Sequence, residues 1–253
     1  MSTWILLRGL TREARHWGSF GAHLSAAAGL GADSFTLLDL PGNGRENAET
    51  APLDVANMTA FIRSRAAALG LKPPYSLFAM SLGGMVATDW AQRHAQEIDR
   101  LVLVNTSMRP FCAIRERLQV AAWPQLLRAG AGWNDPMRCE SIIHGVTCNR
   151  VDSFDDDVTA WMTIRRVARV SAANALRQLW AAARFRAHRQ PPRCPVLLLS
   201  SKADKLVDPA CSTHIAAQWK TVHMQHPWAG HDLPHDDPAW TATAISDWLR
   251  TLP

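Results

Sequence analysis

A serine flanked by small residues, in Ala79-Met80-Ser81-Leu82-Gly83-Gly84, is the first feature of this 253-residue chain with chemical content. It lies between a short apolar run, Ser76 to Ala79, and a segment of helical period that opens near Leu82. A serine on so sharp a strand-to-helix turn needs small neighbours two positions to either side, because the strained backbone brings those Cα atoms together. Ala79 and Gly83 supply them; glycine is the commoner first residue, and alanine meets the same steric demand. The helix N-terminus directly after Ser81 favours negative charge developing there. Taken alone, the motif also fits a serine N-cap on an ordinary loop.

A hydroxyl is a weak nucleophile until a base takes its proton, and the base needs an acid to fix its tautomer and stabilise its cation. Both are available on loops that follow apolar runs, where a parallel sheet places its chemistry. Ser200-Ser201-Lys202-Ala203-Asp204-Lys205-Leu206-Val207-Asp208 follows the fifth run and Ala229-Gly230-His231-Asp232 the sixth, giving the order Ser81, Asp204, His231. Leu7-Arg8-Gly9-Leu10-Thr11 follows the first run, and Gly9 lets the chain turn so that the next amide points at an oxyanion. The Leu10 and Leu82 N–H groups are the expected pair of donors. Asp39-Leu40-Pro41-Gly42-Asn43-Gly44, after the second run, reads as tight-turn chemistry.

The elements that must position these residues are six short apolar runs: Trp4 to Leu7, Phe35 to Leu38, Ser76 to Ala79, Leu101 to Asn105, Val196 to Ser200 and Thr221 to Met224. Each is too short for a helix and reads as a buried strand. Segments near His16 to Ala27, Val55 to Leu71 and Leu82 to His94 have the period and length of crossover helices. Asp208-Pro209 and Asp237-Pro238 mark two further helix starts, an acid before a proline. The alternation breaks once, between Met108 and Arg193, where helix-like patterns continue without a strand. The expected fold is therefore α/β, a mostly parallel sheet of about six strands with helices on both faces, residues 1–107 and 194–253, carrying a helical cap over 108–193.

Composition agrees: 47% hydrophobic and 19% charged residues exclude disorder, collagen and coiled coil. No apolar run approaches the ~20 residues of a membrane span, and the first residues lack the basic and cleavage regions of a secretory signal. Five cysteines, an odd number without a C-x-x-C pair, read as reduced thiols, which makes the cytoplasm the expected compartment. The net charge of +5 conceals an asymmetry. Residues 108–193 hold fourteen arginines against seven acids and no lysine, so the positive excess lies in the cap.

Together, Arg8-Gly9-Leu10, Asp39 to Gly44, Ala79 to Gly84, Ala203-Asp204 with Val207, and Gly230-His231 make the chain resemble the α/β-hydrolase fold enzymes. Within them it resembles the small carboxylesterases that include the pimeloyl acyl-carrier-protein methyl ester esterases. The resemblance covers nearly all of the chain outside the cap. It implies Ser81 as nucleophile, His231 as general base and acid, Asp204 as its orienter, and the Leu10 and Leu82 amides as oxyanion donors, with no cofactor. The chain departs from the family where Arg8 replaces a frequent histidine, which bears on the anchoring of that loop. It also lacks the two antiparallel strands with which the family commonly begins, which shortens the sheet.

Other residues compete for these roles. Asp208 is an alternative acid, but its place before Pro209 suits a helix cap. Asp232, adjacent to His231, should point elsewhere. His223, His226, His231, His235, Asp236 and Asp237 resemble a metal cluster on paper, yet His223 and His226 have neither the strand period of two nor a helix of their own, so no metal site is expected. Cys194 and Cys211 have no basic partner in sequence. Of the cap tryptophans Trp123, Trp133, Trp161 and Trp180, the first, third and fourth are candidates for an apolar acyl pocket over Ser81, against the plain reading that they pack cap helices. Arg165, Arg166, Arg169, Arg177 and Arg184 share about a 120° arc if they lie on one uninterrupted helix. That arc is either a solvated basic face or a dock for an acidic partner such as an acyl carrier protein. No aromatic interleaving points to nucleic acid.

The chemistry expected is two-step acyl transfer on an ester. A serine at position 81 argues against the dehalogenases and epoxide hydrolases of the same fold, which need a carboxylate nucleophile. Thioesterase, amidase and C–C bond hydrolase chemistry would use the same residues. A ligand-binding protein that keeps the fold without turnover is the alternative of a different class.

Overall fold

The computed structural model describes residues 3–31 and 34–252. In chain order the elements are β1 (Thr3–Leu7), α1 (Phe20–Ala28), β2 (Phe35–Leu38), α2 (Val55–Ala68), β3 (Tyr75–Met80), α3 (Leu82–Arg93), β4 (Ile98–Val104), α4 (Ile114–Arg117), α5 (Trp123–Ala131), α6 (Pro136–Thr147), α7 (Phe154–Val167), α8 (Ala172–Arg184), β5 (Val196–Ser201), α9 (Ala210–Trp219), β6 (Val222–His226), α10 (Leu233–Asp236) and α11 (Pro238–Arg250). The strands form one six-stranded sheet in the order β2-β1-β3-β4-β5-β6, and every pairing is parallel.

The apolar runs become strands because both faces of the sheet are covered. Side chains alternate between faces with a period of two, and the two buried clusters divide accordingly. Ile5, Leu7, Leu77, Ala79, Leu101, Leu103 and Leu198 belong to one, with residues of α2, α3 and α9. Trp4, Leu6, Phe78, Met80, Val102, Val104, Leu197 and Leu199 belong to the other, with α1 and α11. The edge strands β2 and β6 are half-exposed, while β3 and β5 are buried throughout.

Helix boundaries follow local chemistry. Asp54 accepts the Asn57 amide at the start of α2, and Asp237 accepts that of Trp240 where Pro238 opens α11. The helix expected from His16 breaks in two: Ala14–Trp17 is a 3-10 turn, Gly18 has φ +50°, and α1 starts after Ser19. A positive φ suits glycine and cannot continue a right-handed helix.

Helices α4 to α8 lie between β4 and β5, where the sequence breaks its alternation. Among the described residues of this insertion the one β interaction is a single bridge at its neck, Arg109 to Arg186, with the Ala187 amide donating to the Arg109 carbonyl at 2.8 Å. Helix α7 ends at Val167, and the Ser171 hydroxyl caps α8 by accepting the Asn174 amide at 3.0 Å. The five cap arginines therefore do not share one helical arc, which corrects the conditional expectation. No helix among the described residues is long and apolar enough to cross a membrane.

Candidate active site

Because all strands are parallel, the loops after β1, β3, β4, β5 and β6 emerge at one edge of the sheet. Ser81 forms the link between β3 and α3 with φ +52° and ψ −120°, a strained backbone for a residue with a side chain. Gly83 makes that turn possible: a Cβ there would lie 2.5 Å from the Arg8 carbonyl oxygen and 2.6 Å from that of Leu7. Gly9 is packed against the serine itself, since a Cβ on it would meet the Ser81 Cβ at 3.0 Å. The next amide, Leu10, and the first helical amide, Leu82, border this contact. Among the described residues neither finds a hydrogen-bond acceptor, and the first amides of a helix have none within the helix.

His231 and Asp204 come together as a buried pair, Nδ1 to Oδ2 at 2.7 Å. The other carboxylate oxygen accepts the Leu206 and Val207 amides at 2.7 and 2.9 Å, so Asp204 cannot rotate away without losing both. Adjacent residues at the end of β4 hold the two halves of the site. Asn105, with φ +44°, donates from Nδ2 to the His231 carbonyl at 2.7 Å and accepts the Ser201 amide at 2.9 Å. Thr106 donates to the Ser81 carbonyl at 2.8 Å. His231 is oriented by Asp204, and Ser81 lies on a half-buried turn beside two amides without an acceptor; residues of these types can carry an acyl group and stabilise an oxyanion.

The neighbours in sequence have other partners. Asp208 accepts the Ala210 amide at 2.9 Å, a cap as expected. Asp232 turns away from the site and takes the Arg8 guanidinium through both oxygens, with both side chains buried. Arg8 also lies over the Trp17 ring at 4.6 Å. Burial of Asp232 acts to raise its pKa, but the charge and hydrogen bonds of Arg8 prevail and hold it below the usual carboxylate range. The residue that departs from the family at position 8 thus ties the Gly9 loop to the His231 loop. His223 bonds Ser200, His226 pairs with Asp237, and Asp236 accepts the amides of Asn149, Arg150 and Gly230, so these residues do not converge on one another, while His235 faces Asp157 of α7.

The cap contributes residues that sequence reading did not single out. The Asn149 side chain donates to the carbonyls of Ala203 and Trp228 at 3.0 and 2.9 Å, bridging the loops of the acid and the histidine. Gln178 accepts the Thr11 amide at 3.0 Å and donates to the Asn43 side chain at 2.8 Å, bracing the loop that follows Leu10. The turn residues Gly9, Asn43 and Gly230 were legible signals for these loops, but nothing in sequence marks which distant amide reads them.

The candidate pocket tryptophans do not converge: among the described residues no ring contact joins any two. Trp123 and Trp180 are about half exposed, while Trp161 is buried against His16, His144 and His235. Arg165 is also inward. It shares the buried Glu140 carboxylate with Arg12, at 3.0 and 2.7 Å, and stacks on Trp133, so it has no place on an outer docking face. The Arg177 guanidinium donates to the Ala51 carbonyl, whereas Arg166, Arg169 and Arg184 remain exposed.

Comparison with known proteins follows the same outline. The chain is 36% identical over 104 residues to a pimeloyl-[acyl-carrier protein] methyl ester esterase of Edwardsiella ictaluri, covering 41% of this chain and 36% of that one. Another protein of that name, from Aromatoleum aromaticum, is 29% identical over 168 residues, 66% of this chain and 60% of its own. The matches therefore span less than two thirds of either relative. Among solved structures, an esterase from a Rhodococcus species superposes with a TM-score of 0.78 at 19% identity, covering 100% of this chain and 92% of that one. The enol-lactonase from Burkholderia xenovorans gives 0.75 at 19% identity, covering 99% and 92%. These likenesses establish the fold. The sequence profile of the alpha/beta hydrolase family matches residues 4–244, from β1 into α11 and across the strand-to-helix serine, the acid loop and the histidine loop. The chain belongs to the alpha/beta hydrolase family.

Proposed function

We propose that the protein is a serine hydrolase that cleaves a carboxylic ester through an acyl-enzyme. Ser81 Oγ attacks the ester carbonyl while His231 Nε2 takes its proton, and Asp204 stabilises the imidazolium through Nδ1. The Leu10 and Leu82 amides receive the oxyanion. As the tetrahedral intermediate collapses, His231 passes the proton to the departing alcohol. Water, deprotonated in turn by His231, then releases the acid and restores Ser81. The observation that carries this reading is the buried 2.7 Å His231–Asp204 pair, placed on the same sheet edge as a serine with φ +52°.

The test is capture by a fluorophosphonate, read by intact mass. One adduct on wild type, absent from Ser81→Ala of unchanged fold, is the expected result. No adduct on well-folded wild type overturns the reading and favours a non-catalytic ligand-binding protein of this fold. A thioesterase or C–C bond hydrolase would label equally and is separated by substrate screening.

An ester presented on an acyl carrier protein is the finer reading of the same site. The names of the curated relatives point to it, and the exposed Arg166, Arg169 and Arg184 would meet an acidic carrier. Hydrolysis of a carrier-bound ester should then fall with salt while that of a free small ester does not. Equal salt response for both removes the carrier from the proposal.

A further inference from the structure

Behind the His231 loop lies a second group of side chains that the proposed hydrolysis does not use. His144 and Cys148 are one helical turn apart at the end of α6, and His235 lies in α10, four residues after His231. One ligand atom of each lies within 4.8 Å of the other two, with His144 and Cys148 buried. Asp157, from the first turn of α7, places Oδ2 3.2 Å from His144 Nε2 and 2.9 Å from His235 Nε2. His144 Nε2 hydrogen-bonds that oxygen, and the Ser153 hydroxyl donates to it at 2.7 Å. His235 Nε2, though close, makes no hydrogen bond there and has no other partner among the described residues. Trp161 and Phe154 wall the group with aromatic rings, 5.3 and 5.0 Å from the His144 ring.

We infer that His144, Cys148 and His235 form a site for a divalent ion of the zinc class, with the Asp157 carboxylate beside both imidazoles. The donor set is mixed nitrogen and sulfur, which suits Zn2+ and disfavours Mg2+ and Ca2+. The Cys148 thiol gives its proton to solvent as the metal–sulfur bond forms, and no redox step is involved.

The site's three ligands come from two places, two from the end of α6 and one from α10. It joins the cap helix α6 to the short helix that follows His231. Its consequence is a latch: bound metal fixes the cap against the loop that carries the candidate base.

Cobalt provides the test, because a thiolate-to-cobalt charge-transfer band reports the sulfur ligand and visible d–d bands report four-coordination. Full-length protein stripped with chelator should take up one Co2+ per chain with both signatures, and Zn2+ should bleach them. Cys148→Ser should lose the charge-transfer band, whereas Cys112→Ser should keep it. His235→Gln, at a partly exposed position, should bind Zn2+ at least about tenfold more weakly while retaining wild-type circular dichroism, and should lose the rise in melting midpoint that Zn2+ gives the wild type. Folded wild type that retains no Co2+, or a charge-transfer band that survives Cys148→Ser, overturns the inference. Because fluorophosphonate capture reads Ser81 alone, its outcome is independent of this one.

Discussion

Helices α8 and α11 each have 13 residues and opposite logic. Helix α11 presents Ala242, Ala244, Ile245 and Trp248 to the sheet and packs beside α1, so apolar area fixes its position. Helix α8 does the reverse. It buries Asn174 and Gln178, and leaves Leu176, Leu179 and Trp180 at 67%, 44% and 52% exposure. Its buried amides are matched group by group: Asn174 accepts the Ala51 amide and donates to the Glu49 carbonyl, and Gln178 does the same for Thr11, Pro41 and Asn43. Hydrophobic burial is non-directional and tolerates sliding, whereas paired amides fix one register and are costly to leave unmade. The core is thus held by area, whereas α8 adds to the apolar contact of Ala181 a set of directional contacts on the loops after β1 and β2.

Four perturbations probe this contrast, in descending order of effect. Trp248→Ala in α11 should lose about 3–5 kcal/mol of stability in urea unfolding, as large-to-small core substitutions do. A loss below 1 kcal/mol would mean that area does not hold this helix. Gln178→Leu conserves much of the volume but strands the Thr11 amide and its two acceptors, so about 1–3 kcal/mol should be lost. The rate of fluorophosphonate capture should fall as well, because the loop after Leu10 loses its brace. Unchanged capture with lowered stability would separate the cap from the site.

pH supplies the third perturbation. His16, wholly buried between Arg12 and Glu13 with Arg8 and Arg15 nearby, is held well below its ordinary pKa first by burial and then by those arginines. The unfolded chain therefore binds the proton first. Stability contributed by neutral His16 is complete above about pH 6.5 and declines as pH falls below that value, at up to about 1.4 kcal/mol per pH unit. Chemical denaturation from pH 7 to 5 should show a shallower decline in His16→Gln than in wild type. The smallest effect is expected from Leu176→Ser on the outer face of α8, within about 0.5 kcal/mol, accompanied by less aggregation on heating.

The same contrast explains what the sequence disclosed. The strands were legible because apolar runs of four or five residues bounded by turns have few other readings, and the observed strands fall on all six runs. The candidate serine, acid and histidine were legible because each sits in a punctuated loop after a run. The expected helix from His16 failed at Gly18, where one positive φ outweighed an apolar period. The arginine arc failed twice, because Ser171 restarts the helix and because Arg165 finds Glu140 25 residues away and turns inward. Arg8 and Asp232, 224 residues apart, could not be paired from sequence at all. Periodicity reports area; it does not report which amide or guanidinium meets which distant group.

The neck of the cap has an engineering meaning. The insertion leaves the sheet after β4 and returns before β5, strands that are paired neighbours, and its two ends touch at Arg109 and Arg186. The core closes without stretching across the gap, so cap length is free to vary at this junction with little entropic cost. Most of the atoms that Asn174, Gln178 and Asn149 read are main-chain groups, which every sequence provides. A cap exchanged as one cassette at residues 109 and 186 would therefore meet the same anchors, and substrate range could be altered there while the serine, acid and histidine loops keep their places.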